Sequence, residues 1–276
     1  MKLRVLDRHK GIIGSRKVVR SARARLNRLS IIPHCQIEGS MRPDWLYFSI
    51  RPGAHSGVFI NKSLSTGADS TVTILTNDEF FACCDSNYDI YNVGVSHDLL
   101  SEDVLSDVDN ELLTRSSLYQ IPGWLKHRVC QQIHALSSTQ ADEQTFESTL
   151  GDVANTLLTV LSPSCRMPTT NRHRIIQTSI ELIRSNIYHR FSPEELAEAS
   201  HCSIRTLQYA FRKSLGLSPK QFLDRYRLNR FREELLTRRG QSVISVATQY
   251  DFQHLGNLSR VYRQLFGETP SASQAG

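Results

Sequence analysis

The spacing of apolar residues changes character twice along the chain. From about Leu29 to Ser96, short runs rich in β-branched and aromatic residues (WLYFSI at 45–50, GVFI at 57–60, STVTILT at 70–76, YDIYNVGV at 88–95) are separated by Pro, Gly, Asn and Asp. Runs of that length between turn formers predict antiparallel strands in a small sandwich or barrel. From about Glu102 the period lengthens. The spacing predicts one helix over 122–136 and another over 143–161, where Phe146, Leu150, Val153, Leu157 and Leu161 step by 4, 3, 4 and 4. One apolar stripe results, and it either packs on its own domain or offers a dimerisation surface.

SPSCRMPTTN at 162–171 carries two prolines and polar filler, and beyond it the pattern is helical throughout. We place a linker there, between an N-terminal β-rich domain with helices (1–165) and a C-terminal all-α domain (172–276). The fold expected is thus α+β and multidomain. In the second domain, HRIIQTSIELIRSNI at 173–187 is amphipathic. Ser192, Pro193 and Glu195 then form a capping box with proline at the first helical position. That short helix ends near Ser200, His201 and Cys202 make a tight turn, and Ser203 caps a second helix that stops at Gly216.

This second helix is nearly repeated. TLQYAFRKSLGLSP at 206–219 matches NLSRVYRQLFGETP at 257–270 at a constant offset of 51. In the first copy, helical geometry gathers Ile204, Leu207, Phe211 and Leu215 inward and turns Arg205, Thr206, Tyr209, Arg212 and Lys213 outward, with Gln208 at the flank. In the second, QSVISVATQY supplies the short helix and a helix from Gln253 to Phe266 follows. Leu258, Tyr262 and Phe266 face inward, Asn257, Arg260, Arg263 and Gln264 outward, and Ser259 the flank. Residues 219–236 are long enough to form a connecting helix. A short helix, a turn and a basic helix make a helix-turn-helix. Two of them on a stiff connector suit successive major grooves, about 34 Å apart on one face of B-DNA.

Charge supports that placement. Residues 1–28 carry ten Lys/Arg against one acid, residues 29–171 seven against seventeen, and residues 172–276 sixteen against nine. A basic arm, an acidic middle and a basic last third point the last third at a polyanion; the arm itself could dock on the acidic middle, contact DNA or fray. Arg pairs bidentately with guanine and Gln or Asn with adenine, so Arg205, Gln208, Asn257 and Arg260 are the candidates for base reading. Arg212, Lys213 and Arg263 are better placed for phosphates.

The remaining chemistry is sparse. Six cysteines without CxxC spacing read as reduced thiols, and neither a signal peptide nor an 18-residue apolar run is present, so a cytoplasmic, nucleoid-associated protein is expected. His34, His55 and His97 are too dispersed for a metal site, which argues against a cupin-type enzyme; no metal or cofactor is expected. A redox sensor built on Cys83 and Cys84 lacks flanking positive charge, and apolar filling suits them better. Trp45, Tyr47, Phe48 and Phe59 could line a pocket or form core.

Two stretches carry a family resemblance. LAEASHCSIRTLQYAFRKSLGLSPKQFLDRYRLNRFREEL, followed by SVISVATQYDFQHLGNLSRVYRQLFGETPS, resembles over about 100 residues the tandem helix-turn-helix domain of the AraC/XylS family of bacterial transcription regulators. The resemblance implies that Arg205, Gln208, Tyr209, Asn257, Ser259 and Arg260 face base edges and nearby backbone. It also implies an N-terminal cupin or jelly-roll-like domain that senses a small-molecule effector and dimerises. The function implied is a promoter-binding regulator, an activator in contact with RNA polymerase, with an architectural or redox-responsive DNA-binding role as the alternative. Family members often carry Gly-Phe where this chain has Asp251-Phe252. The closing HLGNLSRVYRQLFGETPS is most similar to the branch that includes the ethanolamine-utilisation regulator.

Overall fold

The computed structural model describes residues 2–5, 14–31, 35–53, 58–60, 63–65, 71–76, 80–84, 88–108, 110, 113, 116–138, 141–167, 170–237, 241–252 and 254–275. Eleven strands are found among them: β1 (Lys2–Val5), β2 (Gly14–Arg20), β3 (Ala24–Ile31), β4 (Cys35–Gly39), β5 (Trp45–Ile50), β6 (Val58–Ile60), β7 (Ser63–Ser65), β8 (Thr71–Leu75), β9 (Phe80–Cys84), β10 (Tyr88–Ser96) and β11 (Ser117–Gln120). They form two antiparallel sheets, one ordered β11-β8-β5-β10-β3-β2 and the other β1-β4-β9-β6-β7. The helices that follow are α1 (Glu102–Asp107), α2 (Gly123–Ser138), α3 (Glu143–Val160), α4 (Asn171–Ser185), α5 (Pro193–Ala199), α6 (Ile204–Leu215), α7 (Pro219–Thr237), α8 (Val243–Gln249), α9 (Leu255–Phe266) and α10 (Pro270–Ala275). An N-terminal antiparallel β part and a C-terminal helix-turn-helix part are thus as the sequence predicts.

The basic N-terminal segment is different from the expected arm. Residues 14–31 are a β-hairpin that closes one edge of the larger sheet, with β2 as the exposed edge strand and β3 hydrogen-bonded between β2 and β10. Alternation along ARLNRLSI explains this: Ala24 and Leu26 join the core shared with α3, while Leu29 and Ile31 pack between the sheets. The interspersed arginines disguise that period in the sequence. Several are neutralised by the acidic middle segment. Arg23 Nη2 lies 2.6 Å from Glu147 Oε2, and Arg28 Nη2 lies 3.1 Å from Asp89 Oδ2, with its guanidinium over the Tyr91 ring. The docking alternative therefore holds for these residues.

The apolar stripe on α3 is spent inside its own domain. Phe146, Leu150, Val153, Leu157 and Leu161 are all buried against the larger sheet and α2, so they are not available to a partner subunit. Trp45 and Phe48 are likewise core, whereas the side chain of Phe59 lies outside the described residues. Burial pushes the Cys83 thiol well above its usual range, in keeping with apolar filling; the side chain of Cys84 lies outside the described residues. His34 and His55 also lie outside them.

The β and helical parts meet at a buried cation. Arg4, on β1, is only 2% exposed; its Nη1 lies 2.5 Å from Glu38 Oε2 on β4, and its Nε donates to Glu233 Oε1 on α7 at 2.7 Å. Its guanidinium also lies over the Tyr226 ring, with 5.6 Å to the centroid. Beside it, Cys83 of β9 joins the cluster formed by Ile176, Leu207, Phe211 and Phe222.

Two outcomes follow for stability. Replacing Arg4 by Ala leaves two carboxylates facing each other in a partly buried site, and should cost about 3 kcal/mol in chemical denaturation. Glu147 sits below its ordinary 4.5 because the Ser21 hydroxyl and the Arg23 guanidinium donate to its ionised form. A depressed carboxyl stabilises the fold above its unfolded pKa, and that contribution is lost as pH falls through the folded one. The stability gap between wild type and Glu147→Gln should accordingly be widest at neutral pH and close on acidification, as measured by denaturation across the pH range.

Candidate nucleic-acid interface

Each helix-turn-helix is assembled from local signals. Ser192 accepts from the Glu195 amide, while Glu195 Oε2 accepts from the Ser192 amide at 2.7 Å, completing the expected capping box on α5. Ser203 accepts from the Thr206 amide at 3.1 Å and caps α6, which ends at Gly216 with φ 66°. The repeated G-x-x-P then resolves into a device. After the left-handed glycine, Ser218 caps α7 with Pro219 as its first residue. In the second copy Gly267 has φ 78°, and Thr269 accepts from the Ala272 amide ahead of Pro270.

The turns also correspond. His201 and Asp251 adopt φ 50° and 55°, so Asp251 occupies the left-handed position that the Gly-Phe of related sequences would suit. Asp tolerates this region better than most residues. The turn of the second motif is one residue longer, since α5 and α8 are 50 apart and α6 and α9 are 51 apart, by their first residues 193 and 243, 204 and 255. α9 accordingly starts at Leu255 rather than Gln253, which lies outside the described residues; its N-cap His254 makes no side-chain cap.

Sequence periodicity named the buried faces nearly in full. Leu207, Phe211, Leu215, Leu258 and Tyr262 are buried. Two positions depart from expectation. Ile204 is 38% exposed because it is the first helical residue, ahead of the turn that packs, and Ala210 and Ser214 complete the buried face instead. In α9 Leu265 is the fully buried residue, while Phe266 is half-buried against Arg232, 4.7 Å from its guanidinium.

Outward, α6 presents Arg205, Thr206, Gln208, Tyr209, Arg212 and Lys213, all exposed, with Tyr209 at 62%. Thr206 Oγ1 is engaged with Ser203 Oγ at 2.8 Å. α9 presents Asn257, Arg260, Arg263 and Gln264, with Ser259 half-buried. Arg205, Gln208, Tyr209, Arg212 and Lys213 line one shallow concavity; Ser259, Arg260, Arg263 and Gln264 line another with Gly256. Arg260 Nη2 donates to Asn257 Oδ1 at 2.8 Å, which orients both. Among the described residues, no carboxylate pairs with Arg205, Arg212, Lys213, Arg260 or Arg263. The two faces are not copies. At the offset of 51, Arg205 corresponds to Gly256 and Tyr209 to Arg260.

The sequence did not single out what holds the motifs in place. Arg227 of α7 is buried; it donates to the Tyr250 carbonyl in the second turn and lies over Phe252 at 5.4 Å. Arg232 Nη2 donates to Glu268 Oε1 at 2.6 Å, and the same oxygen accepts from Ser273 Oγ, which in turn accepts from the Tyr262 hydroxyl. In the first motif, Ser200 of the turn bonds Ser179 of α4 at 2.9 Å. These partners are distant in sequence and carry no short motif.

A helix-turn-helix domain family matches residues 196–275. Among curated proteins, XylDLEGF operon transcriptional activator 3 of Pseudomonas putida is 29% identical over 163 residues, covering 57% of this chain and 48% of that one. XylDLEGF operon transcriptional activator 2 of the same species is 35% identical over 94 residues, 33% of this chain and 60% of its own. The chain thus spans about half the length of the first of these relatives and three-fifths of the second. Among solved structures, a probable AraC family transcriptional regulator from Rhodopseudomonas palustris is 30% identical, with 37% of this chain and 94% of that one covered and a TM-score of 0.35. These relatives are described as regulators rather than enzymes.

Two substitutions check the local geometry. His201→Gly removes a side chain from a left-handed position and should raise stability by about 0.5–1 kcal/mol. A Cβ at Gly256 meets nothing within 4 Å, so Gly256→Ala should also stabilise, by up to about 1 kcal/mol from helix propensity. Thermal unfolding reads both. In its C-terminal third the chain carries a tandem helix-turn-helix, the part that matches the helix-turn-helix domain family and is similar to these transcription regulators.

Proposed function

We propose that the protein is a sequence-specific transcription regulator that sets α6 and α9 into adjacent major grooves of promoter DNA. One observation carries this reading: the outward cations of both helices are unpaired among the described residues, whereas arginines elsewhere, such as Arg4, Arg23, Arg28 and Arg232, are matched to carboxylates. Long cations left open on one face suit a polyanion. Arg205, Gln208, Tyr209, Asn257, Ser259 and Arg260 would meet base edges and nearby backbone, with Thr206 at the helix start. Arg212, Lys213 and Arg263 would meet phosphates.

The rest of the proposal follows the relatives and the layout. Their description as transcriptional activators favours an activator in contact with RNA polymerase. Residues 1–165 act as the effector-responsive domain and 172–276 as the DNA-binding one, in a cytoplasmic, nucleoid-associated protein. A homodimer would use a surface other than the α3 stripe. The resemblance of the last segment to the ethanolamine-utilisation branch nominates ethanolamine as one effector to test. Among the described residues no helix is long and apolar enough to cross a membrane.

Genome-wide mapping of bound DNA tests the reading. Wild type should give discrete promoter peaks with two half-motifs about one helical turn apart. Arg205→Ala and Arg260→Ala should each relax one half-motif. Arg212→Ala should weaken all sites alike and lower the salt slope of binding by about 1. Diffuse binding, equal in wild type and both base-reading variants, would leave only an architectural role.

A further inference from the structure

Between the two sheets lies a cavity of about 140 Å³, and its lining is chemically one-sided. The apolar side is formed by Leu29, Ile37, Met41, Leu75 and the ring of Tyr47. Gly94 makes room for that ring: a Cβ there would stand 2.6 Å from Tyr47 Cε1. The polar side belongs to Asn27 and Asn92, directly paired across β3 and β10. Both amide oxygens are occupied, Asn27 Oδ1 by Arg16 Nε at 3.2 Å and Asn92 Oδ1 by the Ser49 hydroxyl at 2.5 Å. Each carboxamide therefore keeps its NH2 as a donor, and neither NH2 has a protein partner among the described residues.

The rim is cationic. Arg16 and Arg25 line the opening, and Arg20 stands directly opposite Arg25 in the β2–β3 pairing. Like charges facing across a ladder repel. Among the described residues none of the three has a carboxylate partner, although the segment that follows, residues 29–171, is rich in acids. No acid lines the cavity either, because alternation along β4 turns Ile37 inward and Glu38 outward to Arg4. Donors, positive charge and an apolar wall, with no carboxylate, select an acceptor of negative charge with an apolar body.

We propose that this cavity binds a small organic anion, its acidic head held by Arg16, Arg25 and the carboxamides of Asn27 and Asn92, and its body against Tyr47, Leu29 and Leu75. The assignment deepens the effector-controlled reading above and rests on it. A cavity of about 150 Å³ accommodates a benzene-sized molecule, which limits the ligand to roughly six to ten heavy atoms and excludes nucleotides. An ammonium compound such as ethanolamine is the wrong sign. The same hairpin contacts the helices, with Lys17 donating to the Ser137 carbonyl of α2 and Arg23 pairing with Glu147 of α3. Capture of an anion at the rim thus acts on strands already tied to both helices.

Calorimetry on the full chain tests this with four probes: cyclohexanecarboxylate, its neutral carboxamide, inorganic phosphate and ethanolamine. The carboxylate should bind one to one, and the carboxamide at least tenfold more weakly. Phosphate and ethanolamine should bind more weakly still. Arg16→Ala and Arg25→Ala should each weaken carboxylate binding about tenfold, the loss of one charge-assisted contact. Gly94→Ala, which drives the Tyr47 ring into the space, should abolish it with every charge in place. Arg212→Ala should change nothing, and circular dichroism confirms that each variant folds. Equal affinity for the carboxamide, preference for ethanolamine or bare phosphate, full binding by the Arg16/Arg25 double variant, or no binding of any probe would overturn the proposal. DNA binding is read separately. Carboxylate binding by a chain that fails to find promoters would sink the regulator reading and leave this site standing.

Discussion

The structure depends on one helix being packed on all of its sides. α7 has no single apolar stripe, because each face meets a different partner. Phe222, Leu223 and Tyr226 enter the core of the first helix-turn-helix, and Phe231 and Leu235 enter that of the second. Phe231 alone stands edge-on to Tyr250, Phe252 and Tyr262, with centroids 5.5–6.2 Å away. At 19 residues the helix is about 28 Å long, and a rod shared by two cores leaves little freedom in how far apart, or at what angle, the recognition helices stand. The spacing between α6 and α9 then becomes a property of packing rather than of a flexible linker.

Charged side chains on the same helix extend that control. Arg227 seizes the second turn, Arg232 reaches Glu268 beyond α9, and Glu233 receives Arg4 from the first strand of the β part. Each contact is partly buried, where attraction is least screened and an unmatched partner is most costly. β1 and β4 are thereby tied directly to the helix that spaces the two helix-turn-helix motifs. Two populations of arginine can be told apart among the described residues. Arg4 and Arg232, which hold parts together, are paired with carboxylates, whereas those on α6, α9 and the β2–β3 rim have no carboxylate partner.

Much of the helix-turn-helix geometry could be read directly in the sequence. Helix periodicity, serine caps and left-handed glycines act within a few residues, so Leu207, Phe211, Ser203 and Gly216 announce their roles locally, and the repeat at 51 confirms them by recurrence. The β part was less legible. Strands of hydrophobic alternation such as WLYFSI stand out, but β2 and β3 alternate apolar residues with arginine and asparagine and so look like a charged tail. The burial of β3 depends on Asp89, Glu147 and α3, none of which lies nearby in sequence, while β2 stays exposed at the sheet edge.

The sequence alone determined the two helix-turn-helix motifs, their outward residues and their division from a β-rich region, since these follow from periods of 3.6 and 2 and from turn chemistry acting over short range. Only the tertiary structure decided the pairing of Arg4 with Glu233, the anchoring of the second turn by Arg227, the burial of the α3 stripe and the convergence of Arg16, Arg25, Asn27 and Asn92 on one cavity. Those are meetings of residues far apart in the chain. Strand register and packing bring them together, and no local period encodes which distant side chain will be opposite.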